Sequence, residues 1–127
     1  MAILAYRSVL VPSFPIEMFP GTEDEVLTRG QVVILSSGAL TSAGVDSDGD
    51  QTFIMIESAT GDGSTLLAVH RIRDDVQYRT PYASAPTVGN NYTLNTGRVG
   101  ITATTTKGVF RVDGVNTDDE YAYGVFV

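Results

Sequence analysis

The sequence predicts an all-β fold, a single compact β-sandwich or β-barrel-like (β-tulip-type) domain with an extended N-terminal arm. Short apolar segments separated by Gly, Asn and Asp turn residues are typical of such folds. Three of the five prolines lie in the first twenty positions, where they disfavour helix. The composition is globular, with 43% apolar and 18% charged residues in 127. On size we expect one unit, with an arm over residues 1–25 and a β domain over residues 26–127.

The arm contains Pro12, Pro15 and Pro20, each of which fixes φ and favours an extended preceding residue. Its large apolar side chains are too many for a solvated linker, so they need burial. Two placements satisfy this need: the arm wraps its own domain, or it lies across another subunit. Our working hypothesis is the second, in which the arm contributes more to assembly than to folding. The candidate subunit-contact residues are Val11, Phe14, Ile16, Met18 and Phe19.

A β-hairpin is predicted after the arm, with strands Gln31–Leu35 and Ala39–Ala43 joined at a Gly turn. Its spacing of glycines and aliphatic residues recurs later in the chain. Internal duplication and the common reuse of Gly-bounded hairpins both account for the recurrence. The matching residues are Gly30, Leu35, Gly38 and Leu40 in the first copy and Gly89, Leu94, Gly97 and Val99 in the second.

An acidic segment follows, in which Asp46, Asp48, Asp50 and Glu57 match positions 1, 3, 5 and 12 of the EF-hand ligand frame. The glycine that this loop requires at position 6 is replaced by Gln51, and both flanks have β character. We therefore interpret the segment as a solvated Asp-Gly turn that leads into a buried strand. We expect no tight calcium binding.

The second half of the chain supplies the remaining strands. Ser64–Ile72 alternates apolar and polar residues, which favours a strand over one helical turn, and the charged Arg71–Arg79 is typical of an exposed or edge strand. Tyr121–Val127 has residues that can be covered on both faces. Three further strands are predicted at Asn91–Leu94, Arg98–Thr102 and Val109–Val112. The predicted core comprises Phe53, Ile54, Ile56, Leu94, Ile101, Phe110, Val112, Val125 and Phe126.

The sequence offers no catalytic set. His70 is the single histidine, and no Gly-x-Ser-x-Gly segment supplies a nucleophile for it, so we interpret it as a buried or hydrogen-bonded structural residue. Adjacent carboxylates such as Asp74 and Asp75 point to opposite faces of a strand and cannot act as a facing pair. Phosphate-loop and dinucleotide motifs are missing. We expect a binding or structural protein, not an enzyme, with no cofactor and no metal.

The charge balance narrows the range of partners. Fifteen acidic and eight basic residues give a net charge of −7, which disfavours nucleic acid and anionic membranes. The lack of cysteine excludes disulfides and thiolate zinc sites. The first residues lack the basic start and long apolar run of a secretory signal, and no run approaches eighteen apolar residues. We therefore expect a protein that acts without crossing a membrane.

Three segments, the Pro-rich arm and the Gly-rich β ending carry a resemblance to a known family. The segments are Leu27–Leu35, Ser37–Leu40 and Gly89–Leu94. Together these features resemble the head-decoration (cement) proteins of tailed bacteriophages. The resemblance extends over most of the chain as an architecture. It implies a cysteine-free β protein, made in the host cytoplasm, that binds the outer surface of an expanded capsid. It also implies bridging of neighbouring subunits of the major capsid protein and self-association as a trimer, with a dimer or monomer as the alternative. No functional residue follows from it, because the family has no catalytic signature.

Two rival functions are considered beside this one. A phage tail- or fibre-associated β module that binds carbohydrate would place Tyr78, Tyr82 and Tyr92 on an exposed face for stacking on sugars. A small hydrolase would have to use His70, without the partners that a triad needs. The sequence features favour a structural protein of the virion.

Overall fold

The computed structural model describes residues 3–8, 15–44 and 52–127. Throughout these residues the strands pair antiparallel and no helix occurs, which confirms the predicted all-β class. Two five-stranded sheets and one small sheet are consistent with a β-sandwich. The strands are β1 Leu4–Ser8, β2 Ile16–Pro20, β3 Val26–Leu27, β4 Val32–Ser36, β5 Ala39–Ser42, β6 Thr52–Met55, β7 Ala59–Thr60, β8 Leu66–Arg71, β9 Val76–Pro81, β10 Asn91–Tyr92, β11 Phe110–Asn116 and β12 Tyr121–Phe126.

The first sheet has the strand order β1-β9-β12-β11-β10. Along β12 the side chains alternate between buried and half-buried, so one face of this sheet is packed and the other is partly open. On the packed face the ring of Phe126 contacts the rings of Tyr78 and Phe110 and is nearly perpendicular to both. Its centroid lies 5.1 Å from that of Tyr78 and 5.2 Å from that of Phe110. Edge-to-face contacts of this kind are a favoured arrangement of aromatic rings.

The second sheet has the order β2-β8-β6-β4-β5 and is packed on both faces. Val32 and Ile54 belong to the cluster that contains the aromatic contacts of the first sheet. Their chain neighbours Val33 and Phe53 belong to a second cluster, on the opposite face. Packing on both faces explains why all four residues of β6 are buried.

The small sheet, β3 paired with β7, adjoins the second cluster and contributes Leu27 and Ala59 to it. Nearby, the two edges of the second sheet approach each other. Gly21 and Leu40 form a parallel bridge, and the amide and hydroxyl of Thr22 donate to the Leu40 carbonyl at 3.0 and 2.9 Å. The second sheet is therefore curled around its own cluster, as in a partly closed barrel.

The predicted first hairpin is confirmed as β4 and β5, in which Ser36 pairs with Ala39. Ser37 and Gly38 form the loop, with φ of 51° and 83°. Positive φ at both loop positions defines a type I′ turn, whose twist matches that of the strands it joins. The local Ser-Gly sequence was sufficient to place this turn.

The predicted strand Arg98–Thr102 is wrong. Within it Ile101 forms isolated bridges only, one of them with Leu94. Arg98 adopts a φ of 56°, and its Nε donates to the Ala43 carbonyl at 2.6 Å. This hydrogen bond to the end of the first hairpin holds Arg98 in an irregular backbone conformation. The second copy of the glycine pattern therefore forms a turn between Leu94 and Ile101.

Seven of the nine predicted core residues are buried, and the exceptions are Ile56 and Val125. Ile56 directly follows the last residue of β6 and is 36% exposed. Val125 is half-buried because it lies on the open face of the first sheet, on the other side of β12 from Phe126. The last strand is interior to its sheet, as expected, but the face that carries Val125 is only partly covered.

The strand predicted over Ser64–Ile72 is confirmed as β8, but the edge prediction for Arg71–Arg79 is wrong. β9 lies between β1 and β12, and its Val76 and Tyr78 are fully buried. The edge position is occupied by β1 instead. A strand from the far N-terminus thus covers a segment whose local charge suggested an edge.

The boundary predicted at residue 25 does not separate an arm from the sheets. Leu4–Ser8 pairs with β9 in the first sheet, and Ile16–Pro20 pairs with β8 in the second. These two segments wrap their own domain, which is the alternative placement of the arm. Pro15 precedes β2 and Pro20 ends it, and prolines are tolerated at the ends of an edge strand.

Candidate functional site

An exposed apolar strip follows the edge of the second sheet and consists of Ile16, Met18 and Leu66. Met18 pairs with Ala68, and Pro20 pairs with Leu66, so the register places the three strip residues on one face of β2 and β8. They are 61%, 51% and 52% exposed, respectively. Exposed apolar side chains that are neighbours on one face of a sheet are candidates for contact with another molecule.

The apolar strip includes two of the five predicted subunit-contact residues. A third, Phe19, points to the opposite face of β2, where its ring centroid lies 5.2 Å from that of Phe53 beside the second cluster. Phe19 is half-buried within its own domain, and its role as a subunit contact stays a prediction. Val11 and Phe14 lie outside the described residues.

Part of the strip could be read from the sequence and part could not. The period of two along a strand separates Ile16 and Met18 from Phe19, so the alternation in β2 contains that signal. Leu66 was missed, because only the pairing of β2 with β8 brings it beside Pro20. No local pattern near Leu66 indicates its neighbours.

An ion pair fixes the edge strand from the other face. Arg71 donates to both carboxylate oxygens of Glu17, at 2.9 and 3.0 Å, and its guanidinium lies 4.8 Å from the centroid of the Phe53 ring. The hydrogen bond from Arg71 lowers the pKa of Glu17. Because both side chains are partly exposed, we assign the pair about 1 kcal/mol or less. It orients β2 and thereby the apolar strip.

His70 lies at the end of the strip and connects the two large sheets. The Tyr78 hydroxyl accepts the Arg73 amide at 3.1 Å, so its own proton is directed at Nε2 of His70, 3.0 Å away. The imidazole proton is then on Nδ1, which is 3.5 Å from the Pro15 carbonyl. Burial is the main cause that lowers the pKa of His70 and raises the pKa of Tyr78 to about 12. The predicted buried, hydrogen-bonded histidine is confirmed.

The tyrosines considered for sugar stacking are buried. Tyr78, Tyr92 and Tyr82 are 0%, 5% and 9% exposed. The hydroxyl of Tyr92 accepts the amide of Thr87 at 2.7 Å. Stacking on a sugar requires an open ring face, so these three rings provide no carbohydrate platform.

In the parts of the chain that the structure describes, no three His, Asp or Glu side chains are grouped as a metal site would need. Asp46, Asp48 and Asp50 lie outside those parts. Glu57 is exposed and accepts the amide of Ala68 at 3.3 Å. The expected lack of tight calcium binding in this segment stays a prediction.

A cavity of about 590 Å³ lies at the end of the first sheet. Its walls come from the end of β9 and the two residues after it, Pro81 to Ala83, from the loop Asn95–Ala103, and from Glu120 in the turn between β11 and β12. We name it the Glu120 cavity. Its volume falls in the range of roughly 300–1,000 Å³ that is common for ligand sites.

Within residues 3–8, 15–44 and 52–127 there is no helix with the length and apolar character needed to span a bilayer. No protein-family model matches the chain, and no curated protein matches it.

Proposed function

We propose that this chain is a structural protein of a bacteriophage virion that binds the outer surface of the capsid and stabilises the expanded head. In this role it bridges neighbouring subunits of the major capsid protein and self-associates, as a trimer or a dimer. The observation that carries the proposal is the apolar strip, an exposed apolar surface at an edge strand of an all-β domain. The resemblance in the sequence supplies the identity of the partner.

The position of the strip suits a protein that adds to a neighbour's structure. Ile16–Pro20 is the outermost strand of the second sheet, and an edge strand can extend its sheet with a strand of another chain. Main-chain hydrogen bonds would give such a contact its direction, while the side chains of Ile16 and Met18 would give it hydrophobic stabilisation. Full burial of an aliphatic or Met side chain is worth about 1.5–3 kcal/mol.

Repetition on a lattice would raise this modest stabilisation. Three partly exposed side chains cannot by themselves provide a tight interface once the cost of association is subtracted. Oligomers that engage several capsid subunits at once convert later contacts into intramolecular ones, which increases the overall affinity. The net charge of −7 further favours a protein partner over packaged nucleic acid.

The test compares two matched charge substitutions in co-sedimentation with expanded capsids that lack the protein. Met18→Glu places a carboxylate in the strip, and we expect it to weaken capsid binding by at least about tenfold, since one buried apolar side chain is replaced by a charge. Val26→Glu makes the same change at a 69% exposed apolar residue of the small sheet, outside the apolar strip, and should bind as the wild type does.

Three outcomes would overturn parts of the proposal. Wild-type protein that does not sediment with capsids would exclude the capsid role. Equal binding by wild type and Met18→Glu would remove the strip from the interface, and equal loss in both variants would point to general charge repulsion. Thermal melts of each variant verify that any loss occurs in folded protein. A glycan array tests the carbohydrate alternative directly.

A further inference from the structure

The Glu120 cavity combines an apolar wall with a single free carboxylate. Ile101 and Tyr82 in its wall are 2% and 9% exposed, so the wall is part of the packed domain, whereas Ala83 and Ala103 lie exposed. The carboxylate of Glu120 has no hydrogen-bond or ion-pair partner in the described residues. An anionic group beside an apolar wall is complementary to a cation carried on an aliphatic chain.

The turn that carries Glu120 is fixed by its own hydrogen bonds. The side-chain oxygen of Asn116 accepts the amides of Asp118 and Asp119 at 3.1 and 3.2 Å, which closes the turn. Glu120 then adopts a φ of 58°, a left-handed conformation that is unfavourable for a residue with a Cβ atom. The turn thus determines where the carboxylate of Glu120 stands at the cavity.

The Asn95 side chain supplies a second polar group. Its Oδ1 accepts the amide of Val99 at 3.1 Å, which assigns the other side-chain atom as the Nδ2 donor. This donor lies close to Gly100, because a Cβ added to that glycine would be 2.9 Å from it. The cavity therefore has one acceptor of a cation, Glu120, and one donor suited to a carbonyl oxygen, Asn95.

We propose that the Glu120 cavity binds a basic side chain, Arg or Lys, of a partner polypeptide. The aliphatic part of that side chain packs on Val99 and Ala103, its cation pairs with Glu120, and a main-chain carbonyl of the partner accepts Asn95 Nδ2. The net charge of −7 favours the approach of a basic segment. A sugar fits less well, because Tyr82 does not expose the open ring face that stacking needs. The inference does not depend on the capsid role.

The test is a titration followed by amide chemical shifts in NMR, with Nα-acetyl-arginine N-methylamide as the probe. We expect shifts at Tyr82, Ile101 and Glu120, and binding that weakens with added salt. The matching norleucine amide has the aliphatic chain without the charge, and n-butylamine has the charge without the peptide carbonyl. Both should bind more weakly than the arginine compound.

Variants of the same turn provide the controls. Glu120→Gln removes the carboxylate and should weaken binding about tenfold, which corresponds to one charge-assisted hydrogen bond. Asp118→Asn removes the same charge two residues away, outside the cavity wall, and should leave binding unchanged. Ala103→Phe fills the open side and should abolish binding.

The outcomes separate the proposal from its alternatives. Binding of the norleucine amide with equal affinity, or equal weakening by Asp118→Asn and Glu120→Gln, would overturn the specific ion pair with Glu120. Butylamine that binds as well as the arginine compound would overturn the assignment to a polypeptide in favour of a free amine. Shifts that appear only outside the cavity would overturn the site itself.

Discussion

The hydroxyl of Tyr78 is a buried link between the two large sheets, and its removal should measurably destabilise the domain. The oxygen accepts the Arg73 amide at 3.1 Å, and the proton is directed at His70 Nε2, 3.0 Å away. Tyr78→Phe keeps the ring and its contact with Phe126 but removes the hydroxyl that bonds to the Arg73 amide and to His70. A net hydrogen bond contributes about 0.5–1.5 kcal/mol, so two lost bonds should lower the free energy of unfolding by about 1–3 kcal/mol.

Urea unfolding followed by circular dichroism measures this change. A domain of this kind is stable by about 5–15 kcal/mol, so the midpoint should fall clearly while the slope m stays constant. Tyr121→Phe is the matched control, because its ring lies under the Arg79 guanidinium at 4.5 Å and is only partly buried. It should change the unfolding free energy by less than about 0.5 kcal/mol. If Tyr78→Phe is as stable as the wild type, the two hydrogen bonds of the Tyr78 hydroxyl contribute no net stability, and the reasoning is refuted.

Four further predictions concern stability. The pKa of His70 is lowered in the folded state, so the unfolded state takes up the proton first as the pH falls below about 6.5. The free energy of unfolding should therefore decrease with falling pH until the folded pKa is reached. This decrease should be absent in His70→Gln. Gly61→Ala should destabilise by at least about 1–3 kcal/mol, because its Cβ would lie 2.1 Å from the Thr22 carbonyl, whereas Gly97→Ala meets nothing closer than 3.5 Å and should be nearly neutral. Phe110→Ala should cost about 3–5 kcal/mol, and a loss below 1 kcal/mol in urea unfolding would contradict its full burial. Deletion of residues 1–20 removes one edge strand from each large sheet, so it should lower the melting temperature of the domain. An unchanged melting temperature would restore the hypothesis that this segment serves assembly alone.

That deletion prediction reverses the expectation drawn from the prolines. Pro15 and Pro20 do prevent a helix, but an extended chain can equally well be a strand. The apolar residues of β2 needed burial, and Phe19 finds it within its own chain. Ile16 and Met18 stay exposed because alternate residues of an edge strand face the other way. The same segment therefore contributes to folding through one face and offers a contact through the other.

The sequence by itself determined the features that depend on a few neighbouring residues. The Ser37-Gly38 turn, the alternation along β8 and the exclusion of helix near Pro15 each follow from local backbone and side-chain geometry. The buried histidine was also predicted, because the sequence has a single histidine and no Gly-x-Ser-x-Gly segment to supply a nucleophile. These properties require no knowledge of which strands are paired.

Only the tertiary structure decided which faces are covered and which distant segments meet. β1 pairs with β9 across more than sixty residues, which makes an interior strand of a segment that appeared to be an edge. Val125 is half-buried because it lies on the opposite face of β12 from Phe126, and Leu66 joins the apolar strip through the register of β2 and β8. The Glu120 cavity likewise draws its walls from three separate segments. Strand pairing depends on contacts between residues far apart in the chain, and a shift of one residue would reverse every face, so no local pattern determines it.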